Sequence, residues 1–164
     1  MNVRPVRPDD ATGINAVYNH YIRATPITFD IEEWDPSSRD AWIHAHGGGR
    51  HQALVAVDDE RVVGYASSGP WRRKAAYERS VETSVYIAPD HVGRGYGRAL
   101  YAALFDALVG HDIHRLLAGV TMPNDSSVAL HKAFGFRQVG YFTEQGYKFG
   151  RYWDVAWFER AGRT

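Results

Sequence analysis

The sequence predicts an α/β (α+β) domain with a mixed central sheet flanked by helices. Three observations predict it. Stretches with two-residue alternation and stretches with helical spacing follow one another as β-α-α-β-β-β-α-β-α-β-β. The chain has 164 residues, enough for one domain over 1–164 that buries roughly 70% of its unfolded surface. Apolar residues make up 45% and charged residues 23%, the balance of an ordinary globular protein.

The elements follow in order. Val3 to Arg7 reads as a short strand. Asp9 or Asp10 caps a helix whose Ile14, Val17, Tyr18, Tyr21 and Ile22 share one face. Thr25 to Asp30 is a loop, and Pro36-Ser37-Ser38 opens a second helix running through Trp42 and His46. Ala53–Val57 and Val62–Ser67 are β-rich and flank Asp58-Asp59-Glu60-Arg61, a hairpin. Val81 to Ile87 is a strand with Val81, Thr83, Val85 and Ile87 on one side and Glu82, Ser84 and Tyr86 on the other. The helix after it carries Leu100, Leu104, Ala107 and Leu108 on one face. Leu116 to Thr121 is a strand. Asn124 or Asp125 caps a short helix ended by Gly135. Strands near Phe136–Phe142 and Trp153–Glu159 close the sheet.

Composition excludes several chemistries. Acidic and basic residues balance at 19 each, so net charge supports neither nucleic-acid nor membrane binding. There is no cysteine, hence no disulfide and no cysteine nucleophile. His44 and His46, and His111 and His114, lack acidic or cysteine partners at ligand spacing, so no metal site is expected. The first residues lack the apolar core of a signal peptide, and no apolar run approaches the roughly 20 residues of a membrane span. The expectation is a cytoplasmic protein.

Ser84 to Leu100 is the most informative stretch. A strand runs into a turn, Gly93-Arg94-Gly95-Tyr96-Gly97, and then into an amphipathic helix. Such a turn aims several N–H groups at one spot beside a helix N-terminus, which suits the pyrophosphate of a nucleotide-like cofactor. The spacings of dinucleotide-binding and P-loop motifs are absent.

Val92-Gly93-Arg94-Gly95-Tyr96-Gly97 resembles the acetyl-CoA motif of the GCN5-related N-acetyltransferases, departing from it at Val92. The helix with Asn124, Ala129, Leu130, His131 and Lys132, ending in Gly135-Phe136, resembles a second landmark of that family. Tyr18-Asn19-His20-Tyr21, Gly69-Pro70-Trp71, Ala76-Tyr77, Val81-Glu82, Ser84-Val85-Tyr86, Pro123-Asn124-Asp125 and Gly146-Tyr147-Lys148 together resemble the phosphinothricin and methionine sulfoximine N-acetyltransferases, over nearly the whole chain.

The resemblance implies acetyl transfer from acetyl-CoA to the amino group of a small amino-acid-like acceptor. It implies a splayed strand pair with Val85, Tyr86 and Ile87 along the pantetheine arm. Gly93, Arg94, Gly95, Tyr96, Gly97 and Arg98 would hold the pyrophosphate, and Asn124 the pantetheine. Glu82 sits mid-strand, where partial burial raises a carboxyl pKa toward proton-transfer duty. His131 titrates near neutrality. Both are candidate catalytic residues, and which one takes the amine proton stays open. Trp71, Arg72, Arg73 and Tyr77, together with Phe29, are expected at the acceptor, whose oxygens suit arginine and aromatic walls. Tyr141, Phe142, Tyr147, Phe149, Tyr152 and Trp153 either close the pocket or form a dimer contact, since such relatives are commonly homodimers. Acetylation of a protein N-terminus or lysine, and a non-catalytic acyl-CoA-binding module, are the other readings.

Overall fold

A computed structural model describes residues 1–162. Seven strands form one sheet in the order β1-β2-β3-β4-β5-β7-β6. They are β1 (Asn2–Pro5), β2 (Ala53–Asp58), β3 (Arg61–Pro70), β4 (Ser80–Ile87), β5 (Arg115–Thr121), β6 (Arg137–Lys148) and β7 (Arg151–Ala161). The helices are α1 (Ala11–Ala24), α2 (Pro36–His44), α3 (Tyr96–Ala107) and α4 (Asp125–Ala133). The element order is the one the sequence predicts.

Boundaries shift where side chains compete for the backbone. β1 ends at Pro5, short of the expected Arg7, and Pro8–Asp10 forms a single 3-10 turn. Asp10 precedes α1 but does not cap it with its side chain. Its carboxylate turns back to accept two bonds from Arg4 and one from the Arg7 N–H. α2 stops at His44, before the expected His46, and is capped by Asp35, which accepts from the Ser38 N–H at 2.7 Å. The last two strands are longer than expected. They form one hairpin through Phe149 and Gly150, both at positive φ.

The two helical layers lie on opposite faces of the sheet. Tyr65 of β3 meets Tyr18 of α1, while Leu100 of α3 lies over the neighbouring Gly64. Ile14 and Val17 fill the core on the first side, and Leu100, Tyr101 and Leu104 on the other. Emptying one such position, as in Leu100→Ala, would cost about 2–5 kcal/mol.

One junction positions the site. β4 and β5 are parallel, and their pairing covers only Ser80↔Arg115, Val81↔Leu116 and Glu82↔Leu117. Beyond Glu82, β4 stays with β3 as far as Ile87, and β5 stays with β7 as far as Thr121. Each strand follows a different neighbour, so the pair splays and leaves a wedge in the sheet.

Candidate active site

The wedge opens into a cleft of about 320 Å³ walled by Val85, Tyr86, Ile87, Gly93, Gly95, Tyr96, Gly97, Arg98, Asn124 and Leu130. At its apex lies a smaller hollow of about 90 Å³ walled by Glu82, Thr83, Tyr86, Tyr101, Asn124 and His131. Ile27, Val85, Tyr86, Asn124 and Ser127 border both, so the two spaces are one channel.

The outer end is a helix N-terminus. Gly93 and Gly95 take φ of +79° and +87°, which side chains resist. Gly95 precedes α3, and the first amide to pair back to it is that of Ala99. The N–H groups of Tyr96, Gly97 and Arg98 therefore have no intrahelical partner, and with the helix dipole they favour an anion. Arg94 does not border the cleft. Its charge acts on Asp58, the carboxylate that accepts the Tyr96 hydroxyl bond.

The middle of the channel offers the β4 backbone from Val85 to Ile87 on the side that β5 has left. An extended arm can add there as a strand does. Asn124 borders the opposite wall. Its side-chain oxygen is spent on capping α4, accepting from the Ser127 N–H at 3.2 Å.

The apex holds the titratable groups. Glu82 is largely buried and makes no side-chain hydrogen bond among the described residues. Burial raises its pKa, and Arg72 pulls it only partly back. His131 is buried on α4, and burial lowers its pKa, so the ring is neutral at neutral pH. Its Nδ1 lies 2.7 Å from the Ser127 carbonyl. A carbonyl only accepts, so Nδ1 carries the proton and Nε2 carries the lone pair. The Tyr101 hydroxyl, 2.9 Å from Nε2, is then the donor. Tyr101 is fully buried, and burial raises its pKa.

Tyr101 was not legible as a site residue. It follows Leu100 in an apolar helix and reads as core until α4 sets His131 against it. Thr83 and Ser127 were equally silent. Thr83 donates to the Leu117 carbonyl at 3.2 Å, at the last point where β4 and β5 touch.

None of the five expected acceptor residues, Phe29, Trp71, Arg72, Arg73 and Tyr77, borders either space. The Trp71 ring stands edge-on to Trp157 at 4.8 Å, and the Arg72 guanidinium lies 4.7 Å above it. Arg72 is close enough to Glu82 to influence its charge. Arg73 and Tyr77 are exposed in the β3–β4 connection and border neither space. Phe29 also borders neither; its ring rests on Gly146 of β6. Among the described residues, no cluster of three or more histidine or acidic side chains could hold a metal ion.

Comparison with known proteins bears on this geometry. Residues 3–157 match the acetyltransferase (GNAT) domain family. A phosphinothricin N-acetyltransferase of Streptomyces coelicolor is 52% identical over 163 residues, covering 98% of this chain and 95% of that protein. An L-methionine sulfoximine/L-methionine sulfone acetyltransferase of Salmonella typhimurium is 33% identical, covering 97% and 93%. The crystal structure of a GNAT superfamily phosphinothricin acetyltransferase from Sinorhizobium meliloti in complex with acetyl-CoA superposes with a TM-score of 0.93 at 27% identity, covering 99% of this chain and 88% of that one.

Proposed function

We propose how this chain, which belongs to the GNAT acetyltransferase family and is an acetyl-CoA-dependent N-acetyltransferase, uses its channel. Its acceptor is the amino group of a small amino-acid-like molecule of the phosphinothricin, methionine sulfoximine or methionine sulfone type. The observation that carries this reading is the channel itself, leading from the N-terminus of α3 to Glu82, Tyr101 and His131.

The residues present fit acetyl-CoA. The free N–H groups of Tyr96, Gly97 and Arg98, with Gly93 and Gly95 leaving room, suit a pyrophosphate. Val85, Tyr86 and Ile87 offer backbone along the arm, and one of their N–H groups can face the acetyl oxygen. Asn124 holds the opposing wall. Bound there, acetyl-CoA supplies an activated thioester whose sulfur leaves as a thiolate and takes up a proton.

The acceptor nitrogen sheds two protons, and the apex has two places for them. Glu82, its pKa raised by burial, takes the ammonium proton and passes it to solvent. His131 Nε2 holds the second. Neutral and locked as the Nδ1–H form, His131 receives that proton through Tyr101 and returns it by the same path to the leaving thiolate, which leaves as the thiol. Arg72, beside Glu82, draws in the acceptor's acidic group. Trp71, Arg73, Tyr77 and Phe29 lie further out, as a rim rather than a wall.

We further propose a cytoplasmic homodimer joined at the aromatic face of β6 and β7, and herbicide resistance as a consequence of phosphinothricin acetylation. No helix among the described residues is long and apolar enough to cross a membrane.

The test is CoA release from acetyl-CoA by purified protein. Phosphinothricin, methionine sulfoximine and methionine sulfone are run beside natural amino acids, amines and peptides. Turnover with the analogues supports the small-acceptor reading. Turnover with peptides alone replaces it with protein acetylation. Binding of acetyl-CoA with no turnover replaces it with a sensing module.

A further inference from the structure

The loop after α1 is gripped by two residues of β6 that the chemistry above does not use. Lys148 is buried, and its Nζ donates to the Thr28 carbonyl at 2.7 Å. Among the described residues no carboxylate comes within ion-pair distance of it; Asp30 acts on it only from further away. Two residues earlier, Gly146 lies directly under the Phe29 ring. A Cβ built on Gly146 would stand 2.2 Å from the ring's Cζ. Only glycine lets the ring rest there.

Residues 146 and 148 share a face because side chains alternate along a strand. Two extra residues between Phe142 and Gly146 leave the face unchanged but shift the register, so the irregularity sets where along β7 the two residues fall. Asp154 fastens that irregularity, accepting from the Glu144 N–H and the Tyr141 hydroxyl at 2.8 Å each. The Trp153 indole donates to the Lys148 carbonyl at 2.9 Å, so Lys148 itself rests on a fixed base.

The gripped segment reaches the site. Ile27 borders both the outer cleft and the hollow that holds Glu82 and His131. Thr28 is bonded to the Tyr18 hydroxyl at 2.8 Å, and the same hydroxyl donates to Asp30. The segment is thus tied to α1 on one side and to β6 on the other.

We propose that Gly146 and Lys148 form a two-point clamp that, by holding Thr28 and Phe29, positions Ile27 as an acceptor-side wall of the channel. They are positioning residues that set acceptor affinity and shape selectivity. This rests on the acetyl-transfer reading above.

The test compares Lys148→Met, which keeps the stem and loses the donor, with Gly146→Ala, which displaces Phe29, and Lys148→Arg, which restores a donor. Acceptor KM and kcat are measured with methionine sulfone, acetyl-CoA affinity by calorimetry, and amide exchange in residues 25–31 by mass spectrometry. Near-ultraviolet dichroism reports folding; if Lys148→Met does not fold, the other two variants carry the comparison. We expect acceptor KM to rise about tenfold in Lys148→Met and Gly146→Ala, with kcat within about threefold, because a wall displaced by an ångström weakens placement of the acceptor. Acetyl-CoA affinity stays unchanged, exchange in 25–31 quickens, and Lys148→Arg recovers most of the KM. Unchanged exchange overturns the clamp. Faster exchange with unchanged KM overturns its role toward the acceptor. If the wild-type protein acetylates no small amine, the proposed function fails, while the exchange data still decide the clamp.

Discussion

The Tyr101 hydroxyl donates to His131 Nε2 across 2.9 Å, because Nδ1–H already donates to the Ser127 carbonyl at 2.7 Å. Tyr101→Phe removes that donor and leaves Nε2 buried without its partner. The expected cost is about 1–3 kcal/mol of stability and on the order of a 10²-fold loss in kcat, with acetyl-CoA affinity intact. Melting curves and steady-state kinetics check both. An unchanged kcat removes the pair from the proton path.

Glu82→Gln separates activity from stability. The folded state holds the Glu82 proton more tightly than the unfolded chain does. Its contribution to stability is therefore full below the ordinary glutamate value and is lost as pH rises through the raised folded value. At pH 8 the glutamine variant should melt higher than the wild type while kcat falls about 10²–10⁴-fold. A lower melting point would show that the buried carboxylate is compensated in the fold.

His131 shifts the other way. Burial lowers its folded pKa from the usual 6.5, so the unfolded chain binds the proton better. Stability is full above 6.5 and is lost as pH falls from there through the folded value. His131→Asn should flatten that acid-side slope in denaturant titrations. A slope equal to that of the wild type would place the pH dependence elsewhere.

Gly95→Glu strikes the outer end of the channel. No atom stands within 4 Å of a Cβ added at Gly95, so the obstacle is its φ of +87° together with the charge. The turn should lose about 1–2 kcal/mol, and the carboxylate should repel the pyrophosphate from the N-terminus of α3. Calorimetry should detect no acetyl-CoA binding. Wild-type affinity would remove this turn from the cofactor site.

Tyr147 and Tyr152 stand 59% and 57% exposed with ring centroids 5.0 Å apart, and Tyr141, Phe142 and Phe149 are exposed on the same hairpin. That much apolar surface is unusual on a monomer. Sedimentation should report a dimer that Tyr147→Lys with Tyr152→Lys splits into monomers. A wild-type monomer at micromolar concentration would end the dimer proposal.

Much of the molecule was legible because its signals are local. Helical spacing from Ile14 to Ile22, the glycines of the turn before α3, Asn124 as a cap and Gly135 as a stop each act within a few residues. Glu82 stood out as a charge in the middle of an apolar strand. Boundaries escaped where distant or competing groups claimed the backbone. Asp10 spends its carboxylate on Arg4 and Arg7 rather than on α1, and β6 runs on past an irregularity that only pairing with β7 supports.

The sequence by itself determined the element order, the glycine turn before α3 and the acidic residue beside the wedge, since chain neighbours dictate each of these. Only the tertiary structure decided that Tyr101 meets His131, that the tautomer of His131 leaves Nε2 to accept, that Arg73 and Tyr77 stay outside the channel, and that Gly146 and Lys148 hold the loop 120 residues before them. Those relations join groups far apart in the chain. Periodicity names the face a residue occupies, whereas packing chooses what that face meets.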